Sequence, residues 1–128
     1  METLTPAPRP QAAATLLLVD DDEAEVELLL FVLTELGYSV HHARSVEEGW
    51  AACGTHAPEA GIARHRRAEV NGLALARKVK RASPATPVIL MVADPRAREL
   101  RTACDIALPL PMPPIVLLDA LDRLGLGP

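Results

Sequence analysis

Aromatic side chains are almost missing from this chain: Phe31, Tyr38 and Trp50 are the only three in 128 residues. Apolar residues still make up 49% of the sequence, so a core is available, but it must be built from Leu, Val, Ile and Ala. The length fits a single domain. Cysteine is also scarce. Cys53 and Cys104 stand far apart without metal-like spacing. With no basic segment leading into an apolar stretch at the start, they read as reduced thiols of a cytoplasmic protein. Long apolar runs are lacking too. Runs such as residues 16–19 and 28–33 fall far short of the roughly 20 residues a membrane span needs, so no membrane partner is expected. Nor is there an excess of positive charge: a formal net charge of −4 and the absence of interleaved aromatics argue against a nucleic-acid partner. One further gap concerns a single residue type. Between Asp22 and Asp94 there is no aspartate.

The charge that is present is unevenly placed. Residues 20–27 hold Asp20, Asp21, Asp22, Glu23, Glu25 and Glu27, whereas residues 64–81 hold Arg64, Arg66, Arg67, Arg77, Lys78, Lys80 and Arg81. Two solvated faces of one domain would account for this, and so would opposite charges meeting across a pocket. His41, His42 and His65 lack partners at metal spacing and read as surface residues. Trp50 reads as core packing.

Residues 1–14, with Pro6, Pro8 and Pro10, suit a disordered tail, which leaves one domain over residues 15–125. Residues 16–19 form a short apolar run suited to a strand covered on both faces. Asp22 and Glu25 open a helix in which Val26, Leu29, Leu30, Leu33 and Leu36 recur at helical spacing, ended by Gly37. A strand over 38–43 follows, then a helix capped by Ser45 with Glu48 and running to about Cys53. A weak third strand spans 59–63, and residues 64–71 read as a long loop. A helix over 72–81, a strand over 88–92, a helix over 95–103, a short strand over 106–108 and a helix from Pro114 to Gly125 complete the pattern. Five strands alternating with five helices predict an α/β, flavodoxin-like three-layer sandwich whose parallel sheet has the order 2-1-3-4-5. In such folds ligand chemistry lies beyond the carboxyl ends of the strands, which gathers Asp20, Asp21, Arg64, Val92 or Ala93, and Pro109 or Leu110 around one crevice.

Several segments carry a resemblance to a known family. They are Leu16–Asp22, Glu35–Tyr38, Asn71-Gly72-Leu73 and Pro87–Ala93, joined by Leu110-Pro111-Met112. In this order and spacing the chain resembles the receiver domain of bacterial response regulators, over about residues 15–124. The resemblance implies an acidic pair that helps hold magnesium, an aspartate ending the third strand that accepts a phosphoryl group, a Thr or Ser ending the fourth strand, a Lys ending the fifth, and a switch aromatic three residues before that Lys. Asp20 and Asp21 match the acidic pair. The phosphoacceptor position holds Arg64, the hydroxyl position Val92, the lysine position Leu110 and the switch position Ala107. Neither Glu59, Glu69 nor Thr86 stands where it would replace a lost group. The family's peptide before the matching proline is typically cis, which implies the same for Leu110–Pro111.

An arginine forms no acyl phosphate and stays protonated. Its natural partners are Asp20 and Asp21, so the resemblance implies a degenerate pseudo-receiver in which Arg64 folds into the acidic pocket through a bidentate pair and replaces the magnesium ion. A solvated 64–67 loop and a helix-capping role for Asp21 and Asp22 stand beside that expectation. No cofactor, metal or catalytic residue is expected. The expected function is a phosphorylation-independent module of two-component signalling that is not an enzyme and that contacts a protein partner or a second copy through about residues 95–124. The alternatives are a phosphoacceptor that uses a non-standard residue and a small-molecule-sensing pocket at Val92, Ala107 and Leu110.

Overall fold

Alternating side chains along short apolar runs set the architecture. In β1 (Thr15–Val19), Leu16 and Leu18 enter one core cluster while Leu17 and Val19 enter another on the opposite face of the sheet. The same alternation recurs in β5 (Val88–Val92), whose Ile89 and Met91 join the first cluster and whose Val88, Leu90 and Val92 join the second. Both strands are buried on both faces, as a parallel sheet between helical layers requires. The computed structural model describes residues 13–66 and 69–128.

The remaining strands are β2 (Ser39–Ala43), β3 (Ala60–Arg66), β4 (Val70–Asn71) and β6 (Ile106–Pro109). The helices are α1 (Glu23–Glu35), α2 (Val46–His56), α3 (Gly72–Ala82), α4 (Leu100–Ala103) and α5 (Pro114–Arg123). Five strands lie parallel in the order β2-β1-β3-β5-β6, which is the flavodoxin-like 2-1-3-4-5 once β4 is set aside. Helices α1 and α5 cover the first cluster through Val26, Leu29, Leu33, Leu117 and Leu121. Helices α2, α3 and α4 cover the second, with Leu75, Ala76, Val79 and Leu100 at its centre.

Helix starts follow their local signals. The Asp22 carboxylate accepts from the Glu25 amide at 3.1 Å, the Ser45 hydroxyl from the Glu48 amide at 3.1 Å, and the Asn71 side-chain carbonyl from the Ala74 amide at 3.1 Å. Each such cap stabilises its helix by about 1 kcal/mol.

Three expectations need correction. The segment 64–71 is not one long loop: β3 continues to Arg66, and β4 pairs back on it antiparallel, Arg66 with Val70 and His65 with Asn71. The sheet therefore has a sixth strand. Helix α2 runs on to His56, where Ala57 takes a left-handed conformation and its amide bonds the Cys53 carbonyl. Helix α4 is a single turn instead of the expected 95–103. Asp94 accepts from the Arg96 amide at 3.0 Å, and the amides of Ala97, Leu100 and Arg101 bond carbonyls three residues back, so tight turns replace the first part of that helix. The expected tail falls mostly on residues 1–12, outside the described residues, as does Arg67; Ala13 and Ala14 pack against the first cluster.

Candidate functional site at the carboxyl edge of the sheet

The parallel register brings the ends of β1, β3 and β5 together. Val19 is level with Ala63, and Arg64 pairs with Met91 one residue before Val92. Asp20, directly after β1, is fully buried, and its backbone amide donates to the Ala43 carbonyl at 3.1 Å. One of its carboxylate oxygens, Oδ1, accepts from the Asp22 amide at 3.1 Å. The other faces the Arg64 guanidinium, with Nη1 at 3.6 Å from Asp20 Oδ2. The same nitrogen lies 3.7 Å from Asp22 Oδ2. Arg64 thus sits between Asp20 and Asp22, mostly covered, with 16% of its side chain exposed.

Asp21 has a different partner: it pairs with Arg66 across the pocket mouth. The expected bidentate pairing of Arg64 with Asp20 and Asp21 is therefore replaced by three ion pairs, Arg64 with Asp20 and with Asp22, and Arg66 with Asp21. Arg64 makes charge contacts without direct hydrogen bonds. Asp20 Oδ2, Arg64 Nε and Nη1, and Arg66 Nε are buried polar atoms with no hydrogen-bond partner among the described residues. Burial pushes the Asp20 carboxyl above its ordinary range, against the pull of the Asp22 amide and of Arg64. Glu25 is raised for the same main reason, reinforced by the Asp20 charge. His42 adds a tie from β2, its Nε2 lying 2.9 Å from the Asp20 carbonyl oxygen.

The hairpin beyond Arg64 is held by main-chain contacts. His65 Nδ1 accepts from the Leu73 amide at 3.2 Å. Gly72 opens α3 against the peptide of Arg64: a Cβ there would stand 2.6 Å from the Arg64 carbonyl oxygen. Only glycine fits so close an approach to backbone.

Across β3 the edge turns apolar. Val92 is buried, with 3% exposed, and its carbonyl accepts from the Leu110 amide at 2.9 Å. Leu110 packs towards the α1 and α5 side and Ala107 towards the other side, so Val92, Ala107 and Leu110 do not line one common cavity. Val92 does line a cavity of about 340 Å³ with His65, Arg66, Asp94 and Leu100. The Leu110–Pro111 peptide is cis.

Reading the sequence missed Arg66 and Asp22 as members of the charge cluster. The signal was there: residues 64 and 66 are two apart, so in an extended segment both side chains project from the same face. Taking the segment as a loop hid that period.

Comparison with known proteins agrees with this fold. Residues 16–108 match the response regulator receiver domain family. The transcriptional regulatory protein GlrR of Escherichia coli K12 is 38% identical over 80 residues, covering 62% of this chain and 18% of the relative. QseF of Escherichia coli O157:H7 matches to the same extent, so the chain spans only about a fifth of the length of these curated relatives. Among solved structures, the chemotaxis response regulator CheY4 of Vibrio cholerae superposes with a TM-score of 0.81 at 22% identity, covering 88% of this chain and 99% of that one. A receiver domain protein from Methanospirillum hungatei gives 0.79 at 22% identity, with coverage of 89% and 95%. A response regulator from Chloroflexus aurantiacus gives 0.78 at 26% identity, with coverage of 88% and 97%. With the fold and the matched span in agreement, the chain belongs to the response regulator receiver domain family.

Proposed function

We propose that this receiver domain acts in two-component signalling without being phosphorylated, as a protein-binding module and not as an enzyme. The observation that carries the reading is the Arg64 guanidinium lodged between Asp20 and Asp22 at 3.6 and 3.7 Å. A guanidinium offers donors only and remains charged, so it neither attacks phosphorus nor accepts a phosphoryl group at neutral pH. The donor set also does not suit magnesium, which needs an oxygen octahedron. Here the buried carboxylate faces a fixed positive charge that competes for its lone pairs and repels a divalent cation. The hydroxyl and lysine that would hold phosphoryl oxygens are Val92 and Leu110. No step through a metal is assigned to the site.

The expected contact face for a partner or second copy lies over residues 95–124. Support there comes from Ile115, a large apolar side chain left 65% exposed at the start of α5. The direct test is incubation with acetyl phosphate and, separately, beryllofluoride, each with magnesium, followed by intact mass and nuclear magnetic resonance spectra. No mass increase and unchanged spectra are expected. An acid-labile phosphoryl adduct on any residue would sink the reading and favour a non-standard phosphoacceptor.

The cavity of about 340 Å³ beside Val92 supports a second reading, a small-molecule-sensing pocket. A ligand screen by thermal shift tests it, with loss of the response in Val92→Trp as the required control.

A further inference from the structure

Two uncovered surfaces carry opposite charge, one of them starting beside the acidic pocket, whose wall includes Ala24 and Glu27. The first is the outward stripe of α1, where Ala24, Leu28, Phe31 and Glu35 align by helical spacing. Phe31 is 65% exposed and Leu28 48%. Exposed Glu27 and Glu35 border this stripe, and no cation among the described residues pairs with either.

The second surface is a groove of about 550 Å³ between α2 and α3. Trp50, Cys53 and Gly54 form its α2 wall at i, i+3 and i+4, and Val79 and Ala82 form its α3 wall. Small residues leave the floor open: a Cβ at Gly54 would meet nothing within 4 Å. The helix beside it is basic: Arg77, Lys78 and Arg81 are exposed on α3, and no carboxylate among the described residues pairs with them. The Lys78 ammonium lies over the Trp50 ring, 5.5 Å from its centroid.

We propose that the α1 stripe of one copy docks in the α2–α3 groove of a second copy. Leu28 and Phe31 enter against Trp50 and Val79, while Glu27 and Glu35 meet Arg77, Lys78 and Arg81. Charge complementarity selects this occupant. The chain itself supplies an apolar helix edge bordered by carboxylates that suit the basic face of α3. Pairing α1 with α1, or groove with groove, would set like charges against each other. The two surfaces lie on opposite faces of the sheet, so a chain cannot fill its own groove. The contact is therefore heterologous, running head to tail, and one helix edge places it in the weak, transient class of interfaces. It uses neither Arg64 nor residues 95–124 and stands apart from the function proposed above.

The test is sedimentation velocity over rising protein concentration, with Trp50, the sole tryptophan, as a fluorescence reporter. The wild-type mean mass is expected to climb above 13.7 kDa without a plateau at two copies, with a blue shift of Trp50 emission. Phe31→Glu and the double variant Lys78→Glu/Arg81→Glu change exposed positions, and far-UV circular dichroism confirms that they fold. Each alone is expected to lose association by about tenfold or more. Mixed together, they retain one intact groove and one intact stripe and are expected to restore a complex capped at two chains. A wild type that stays monomeric at every concentration overturns the proposal. So does a mixture that fails to pair, or a closed dimer broken by Ile115→Glu but not by Phe31→Glu.

Discussion

The carboxyl edge of the sheet is divided at β3. On the β1 side, Asp20, Asp21 and Asp22 pair with arginines from β3. On the β5 and β6 side, Val92, Ala107 and Leu110 pack apolar against the two cores. The difference reflects what each kind of side chain demands of its surroundings when covered. A buried carboxylate without a cation is expensive, so Asp20 needs a replacement charge close by. Val92, Ala107 and Leu110 carry no polar group and make no such claim on their surroundings.

The largest expected effect breaks the polar half. Arg64→Ala removes the guanidinium beside the buried Asp20 and is expected to lower stability by about 3 kcal/mol in urea denaturation. If the loss stays below about 0.5 kcal/mol, Arg64 is not compensating Asp20. Next comes the apolar half. Val92→Thr buries a hydroxyl among Leu90, Leu100 and Val70 and is expected to cost about 1–2 kcal/mol. A neutral result would mean that the apolar half still accommodates a polar group and that the division is weaker than drawn.

A pH titration sharpens the same comparison. The folded-state pKa of Asp20 is raised above the ordinary 3.8, so the folded chain holds this proton more tightly than the unfolded one. Stability contributed by that group is complete below the ordinary value and is lost as pH rises through the raised one. Relative to Asp20→Asn, the wild type is expected to lose stability as pH rises through this window, and Arg64→Ala to push the window to higher pH. Identical slopes in all three proteins would show that Asp20 is not titrating. The smallest effect belongs to the pocket mouth. Arg66→Ala removes a pair that is 40% and 35% exposed and is expected to cost under about 1 kcal/mol in the same denaturation assay.

Much of the fold was legible because its signals are local. Short apolar runs marked β1 and β5, and the residues Asp22, Ser45 and Asn71 cap the helices that follow them. The end of β3 was not legible for a physical reason. Arg64 still pairs with Met91 of β5, but His65 and Arg66 extend past that ladder, so their strand character comes from pairing with Asn71 and Val70 and leaves no apolar period in the sequence. Helix α4 misled in the opposite way: a proline after a strand imitates a helix start, yet the Asp94 turn holds the chain in successive tight bends. The site was half visible. The charges were evident, but their pairing depends on strand direction, and that assigned Asp22 to Arg64 and Asp21 to Arg66.

The close approach at Gly72 separates two histories within one residue. The side chain of position 64 is answerable to the acids around it, but its carbonyl oxygen is answerable to α3, 2.6 Å from where any Cβ at position 72 would stand. Exchanging the side chain at 64 therefore gives no freedom at 72, because the contact there is with main chain. Substitutions at this edge are free to rewrite the charges while the steric contact beneath them stays fixed.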